Sequence, residues 1–177
     1  MIVGKKVGLR AVEREDLSKL RDWRNNAEFR KNFREIRELN LANQENWYSK
    51  INSSPNDFMF TIVDLESQKP IGACGLLYTN WIIRSADFSF YIGQNDAYID
   101  TEGYAKEAAE ILIKYGFNNL NLNKIWMELY EFDKTKVIFF TQEFGFKQDG
   151  ILRDNCFEDG KYWNSYIISL LQKDHIL

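Results

Sequence analysis

The part of this chain that most restricts its fold runs from Ser85 to Phe132. Ser85–Ile92 and Lys124–Phe132 read as strands, the second through alternating Ile125, Met127 and Leu129. Glu102–Leu120 between them carries Ala105, Ala108, Ile111, Leu112 and Tyr115 at helical spacing. A strand, a long helix and a second strand form a right-handed crossover, so these strands are predicted to lie parallel. The rest of the chain is arranged around that unit. Val3–Val12 alternates as a strand. Glu13–Asn26 reads as a helix with acidic Glu13, Glu15 and Asp16 in its first turn, and Leu41–Ile51 as a second helix capped by Asn40. Phe58–Asp64 and Ile71–Tyr78 continue as strands into Ser85–Ile92. Thr135–Glu143 is a helix stopped by Gly145, and Phe146–Arg153 and Tyr162–Leu171 close the chain as a hairpin across Asp159-Gly160. The expected class is α+β, with about seven strands in a mixed, mostly antiparallel sheet and about four flanking helices. One domain over residues 1–177 is expected.

Composition removes several chemistries. The chain has one histidine, at position 175, so a Ser-His-Asp triad has no positioned imidazole to use. Its two cysteines, Cys74 and Cys156, stand far apart in sequence and form neither a zinc-binding cluster nor a disulfide framework, so no metal is expected. Cys74 lies in an apolar run and reads as a small core residue. No stretch approaches the roughly 20 apolar residues that span a bilayer, and Met1–Val12 lacks the apolar block of a signal peptide. A cytoplasmic protein with no membrane partner is expected. The net charge of −3 argues against a dedicated nucleic-acid binder, whose affinity rests on phosphate contacts.

The chemically informative stretch is Asp100 to Ala108, between a strand and the longest helix. Free N–H groups at a helix start, with Gly103 and Ala105 leaving room for a close approach, form an anion site suited to a pyrophosphate. Lys106 offers a cation beside it.

These features in this order resemble the GNAT family of acetyl-CoA-dependent N-acetyltransferases. Asp100-x-x-Gly103-x-Ala105 stands at the family's Q/R-x-x-G-x-G/A signature. Leu9-Arg10-Ala11 with Glu15-Asp16-Leu17 resembles its opening strand and helix. Pro70-Ile71-Gly72, Ala86-Asp87-Phe88 and Phe144-Gly145-Phe146 resemble later landmarks. Gly150-x-Leu152-Arg153-Asp154 with Phe157-x-Asp159-Gly160-Lys161-Tyr162 is similar to the hairpin of the branch that acetylates ribosomal-protein N-termini and spermidine. Trp23-Arg24-Asn25 is similar to members acting on amino-sugar nucleotides. The resemblance implies the GNAT fold, with acetyl-CoA as co-substrate and direct attack of an amine on its thioester. It implies Asp87 as the base, with Tyr91 as a further catalytic residue. Backbone donors from Tyr91, Ile92 and Gly93 would face the reacting carbonyl. Thr101, Glu102, Gly103, Tyr104, Ala105 and Lys106 would hold the pyrophosphate, and Asp133, Lys136 and Phe140 would border the rest of the cofactor.

Two positions depart from the family pattern. Asp100 replaces the usual Gln or Arg, and a carboxylate there repels a pyrophosphate. Phe140 or Thr141 stands where the family places the tyrosine that protonates the leaving thiolate. Tyr130, Tyr91 or water are the remaining proton sources. The acceptor region of such a fold includes Trp23, Arg24, Arg34 and Glu35, where an arginine is suited to clamp a phosphate or carboxylate. A small-molecule amine (an amino-sugar nucleotide or a polyamine) or a protein N-terminus is the expected acceptor, with a homodimer as a further expectation. The rival expectation is a non-catalytic acyl-CoA-binding or regulatory protein of the same fold.

Overall fold

The computed structural model describes residues 1–175. Eight strands form one sheet in the order β1-β2-β3-β4-β5-β6-β8-β7. They are β1 (Ile2–Val3), β2 (Val7–Ala11), β3 (Phe58–Asp64), β4 (Pro70–Asn80), β5 (Ser85–Ile92), β6 (Lys124–Tyr130), β7 (Lys147–Glu158) and β8 (Lys161–Leu171). Every neighbouring pair is antiparallel except β5 and β6, which are parallel as the crossover requires. The helices are α1 (Leu17–Asn25), α2 (Ala27–Arg30), α3 (Leu41–Ser53), α4 (Tyr104–Lys114) and α5 (Lys134–Phe144). The expected α+β class with a mixed, mostly antiparallel sheet is what the chain adopts, with one more strand and one more short helix than expected.

The extra strand comes from the N-terminus. Instead of one strand over Val3–Val12, the chain turns at Gly4–Lys6 and β1 folds back on β2, pairing Ile2 with Leu9. The Glu107 carboxylate on α4 secures that turn by accepting from the amides of Lys5 at 2.5 Å, Lys6 at 2.7 Å and Val7 at 3.1 Å. Burial alone would raise the Glu107 carboxyl, but these three amides outweigh it and hold it below its ordinary value.

The first long helix also starts later than expected. Arg14–Asp16 form a 3-10 turn before α1, and Asp16 is 4% exposed rather than a solvated first-turn charge. α4 begins at Tyr104, because Gly103 takes the left-handed conformation at φ 95° as its N-cap. Its buried face consists of Ala105, Ala108, Ala109, Leu112 and Ile113, and the three alanines let the helix lie close to the sheet. Past Lys114 the helix widens into a π turn over Tyr115–Asn119. The terminal hairpin is longer than expected, because β7 and β8 stay paired, through two shifts of register, as far as Glu158 opposite Lys161. Asp159 and Gly160, at φ 52° and 77°, make the tight turn.

The sheet separates two apolar layers. Phe88, Phe90, Phe140 and Phe146 pack with α4 and α5 on one face. Trp23, Phe29, Tyr91 and Tyr98 pack with α1 and α2 on the other. Cys74 is fully buried, and burial pushes its thiol well above its ordinary range, so it remains a core residue without reactivity.

Candidate active site

The parallel pairing of β5 and β6 lasts only from Ser85 opposite Lys124 to Asp87 opposite Trp126. Beyond that rung the strands part, while β5 stays paired to β4 as far as Ile92 and β6 to β8 as far as Tyr130. Gly93 N–H donates to Ile71 O at 2.8 Å, which fixes the alternation along β5. Odd-numbered residues turn their backbone groups toward β4, and even-numbered ones turn toward the gap. Ile92 N–H is already taken by Tyr98 O at 2.9 Å. Phe90 is therefore the residue whose backbone opens into the gap. This corrects the expected donor set. Tyr91 and Gly93 face β4, and Ile92 is bonded to the following loop.

The gap opens into a cavity of about 590 Å³ lined from both faces of the sheet. Asp87, at the last rung, is 5% exposed and faces this cavity. Burial raises its carboxyl above the ordinary aspartate value, and the Arg34 guanidinium, 2.6 Å away, pulls it back without cancelling the rise. Arg34 also reaches Glu128 on β6 at 3.4 Å. Arg34 is thus a bridge between two acids, one of them the candidate base. Glu128 was not expected, although it alternates with the inward Met127 and Leu129 and shares a side with Trp126. Asp87 alternates in the same way with Phe88 and Phe90 on β5.

The other acceptor-side residues divide. Arg24 and Glu35 line the cavity. Glu35 is held by Arg37 at 2.6 Å and lowered to about 2 by that contact. Trp23 is not at the cavity. It is buried edge-on to Tyr91, under Gly93, where a Cβ would stand 2.0 Å from the indole. Tyr91 lines the cavity, yet burial among aromatics pushes its hydroxyl far above its ordinary value, which makes it a poor proton donor. Tyr130 is raised as well, by burial.

On α5, Asp133 caps the helix by accepting from Lys136 N–H at 3.2 Å and also accepts from Tyr98 Oη at 2.6 Å. Phe140 is fully buried against Phe88 and Phe90. The Thr141 hydroxyl is bonded back to Val137 O at 2.7 Å. Neither position holds an acid. Lys136, expected at the cofactor, instead sends its ammonium to the acceptor side, 4.4 Å from the Tyr98 ring centre.

A smaller hollow of about 250 Å³ lies at the start of α4, bordered by Asp100, Thr101, Glu102 and Tyr104. A Cβ at Gly103 would meet only the Lys6 ammonium, 3.8 Å away, so there is room for a close approach. The Asp100 carboxylate turns onto the helix start, accepting from Tyr104 N–H at 3.0 Å and from Ala105 N–H. It occupies two of the amides an anion would use. Lys106 does not face the hollow as a free cation, because it pairs with Glu143 at 2.5 Å.

Residues 6–137 match the family model of the acetyltransferase (GNAT) domain. The chain is similar to a protein named as an uncharacterized N-acetyltransferase p20 of Bacillus licheniformis. It is 32% identical over 116 residues, 66% of this chain and 63% of that relative, so the match spans less than two thirds of it. It is 27% identical to the spermidine N(1)-acetyltransferase of Vibrio cholerae serotype O1 over 95% of this chain and 94% of that one. The crystal structure of the Vibrio cholerae spermidine N-acetyltransferase in complex with CoA and spermine superposes with a TM-score of 0.82 at 27% identity. The match covers 96% of this chain and 97% of the other.

Proposed function

The chain belongs to the GNAT acetyltransferase family, and on that premise we propose that it transfers the acetyl group of acetyl-CoA to a primary amine by direct attack in a ternary complex. The observation that carries this reading is the parting of β5 from β6 immediately after Asp87, which opens a slot with a free backbone donor beside a buried carboxylate. A co-substrate arm fits that slot as an added strand, held by the Phe90 backbone and walled by Phe88 and Phe140. Asp87 takes the proton of the incoming ammonium. The Phe90 amide donates to oxygen where negative charge develops. Most of the rate then comes from holding the two reactants together, worth on the order of 7–11 kcal/mol in favourable cases.

At the phosphate end the fit is contested by the protein itself. Gly103 and Lys6 favour an anion, while Asp100 and Glu102 oppose one. Asp100→Asn keeps a capping oxygen and removes the charge. It is expected to tighten CoA binding about three- to tenfold, measured by calorimetry. Weaker binding would give Asp100 a positive role at the phosphates.

The names of the spermidine relatives support a polyamine as the acceptor, and a protein N-terminal amine and an amino-sugar nucleotide are the competing candidates. The test is thiol release from acetyl-CoA against a panel holding spermidine, an N-terminal peptide, and small amines with and without anionic groups. Turnover with one class is the expected result. CoA binding without turnover across the whole panel favours the non-catalytic alternative.

A further inference from the structure

We propose that Arg24 and Lys136 form an anion subsite in the acceptor cavity, so that the amine acetylated carries a carboxylate or a phosphate in addition to its amino group. This rests on the acetyl-transfer reading and narrows it. The cavity's other inner charges are engaged with one another, one guanidinium being shared between two carboxylates. Arg34 holds Asp87 at 2.6 Å and Glu128 at 3.4 Å, and Arg37 holds Glu35 at 2.6 Å. Lys50, exposed on α3, stands at the mouth. Arg24 and Lys136 are left over. The Arg24 guanidinium lies over the Phe33 ring at 3.9 Å, and the Lys136 ammonium lies 5.3 Å from that same ring.

Neither side chain donates a hydrogen bond to a described residue or comes within ion-pair distance of a described carboxylate. The acids in range are spent. Asp133 serves Tyr98 and the α5 cap, and Glu35 serves Arg37. Lys136 is 5% exposed. Burial lowers its ammonium, the Asp133 carboxylate offsets part of that, and the Arg24 charge lowers it again, leaving it at about 8, so the two cations act on each other across the cavity. Aromatic faces hold cations in place without neutralising them. Buried charges in proteins are ordinarily paired, and a buried ammonium beside a half-buried guanidinium, with no carboxylate in contact with either, is costly until an anion joins them. A polyamine would add positive charge to a cavity that already has it in excess. Arg24 projects from α1, the helical wall facing the sheet, which places the anion on the acceptor and not on the acyl group in the slot.

The experiment compares amine pairs that differ only in an anionic group, an aminohexose 6-phosphate against the free aminohexose and an ω-amino acid against its amide, with spermidine alongside. Turnover with acetyl-CoA and thermal stabilisation without donor are both read. The anionic member is expected to be favoured about tenfold or more in kcat/KM. Arg24→Gln and Lys136→Met are each expected to collapse that ratio, and Lys136→Arg to restore most of it. Equal or better use of spermidine and the neutral amines, or a ratio unchanged in both variants, overturns the proposal. A preference for succinyl-CoA over acetyl-CoA that is lost in Arg24→Gln also overturns it, by moving the anion to the acyl group. Failure of acetyl transfer is a separate outcome. No thiol release, with stabilisation still specific to the anionic members and lost in the variants, removes the transfer reading and keeps the subsite.

Discussion

Asp87→Asn is expected to lower kcat about 10²- to 10⁴-fold, the range for loss of a general base. The substitution keeps the side chain's size and its contact with Arg34, and removes the capacity to take a proton. Arg34 is half exposed and retains Glu128, so the fold should survive. A melting temperature near that of the parent shows that the loss is chemical. The pH profile provides the second readout. Burial holds the Asp87 carboxyl above the ordinary aspartate value, so the parent should lose activity as the pH falls through that raised value. In Asp87→Asn this acidic limb should vanish from whatever activity remains. A variant within about fivefold of the parent would place the base elsewhere, with Glu128 the next residue to change. The missing acid is a smaller handicap than it looks. Phe140 has no proton to give and the Thr141 hydroxyl is bonded within α5, but a thiol of pKa about 8.5 leaves as the thiolate without strong assistance near neutral pH.

Much of this architecture was legible in the sequence because periodicity and punctuation are local signals. The strand-helix-strand run over Ser85–Phe132 gave the parallel pair, and Asp159-Gly160 gave the last hairpin. The split of the first strand was not legible. Its cause is Glu107, whose carboxylate takes the turn's amides from across roughly a hundred residues of chain. The same applies at the site. The Ala86-Asp87-Phe88 landmark pointed to Asp87, but only the register of β6 shows that Glu128 shares Arg34 with it. Trp23 was expected in the acceptor region, and the absence of a side chain at Gly93 is what lets it pack into the core instead. Lys136 had a readable signal that the local charge obscured. In Asp133-Lys134-Thr135-Lys136 both lysines look solvated, yet Lys136 stands one helical turn before the buried Phe140 and turns inward with it, while Lys134 stays outside.

Asp16→Asn should destabilise the fold by about 2–4 kcal/mol, because it breaks a buried ion pair and leaves the partners behind. The Asp16 carboxylate is 4% exposed and fully used. It accepts from the Arg10 guanidinium at 2.7 and 2.8 Å, from Thr61 Oγ1 at 2.9 Å and from Glu13 N–H at 3.0 Å. These contacts tie β2, β3 and the start of α1 together. An asparagine keeps the shape but aims an amide N–H₂ at groups that are all donors. For a chain of this size the cost corresponds to a fall of roughly 5–15 °C in melting temperature. Burial by itself raises the Asp16 carboxyl, and the Arg10, Glu13 and Thr61 contacts outweigh it, so the folded value lies below the ordinary 3.8. A carboxylate lowered in the folded state stabilises the protein above its unfolded value, and that contribution is lost as the pH falls through the folded one. The parent and Asp16→Asn should therefore differ fully at neutral pH and converge below about pH 4, as the parent's carboxyl takes up its proton. A gap that stays constant from pH 7 to pH 3 would mean that the asparagine costs stability through shape and hydrogen bonding alone, and that the charge contributes nothing.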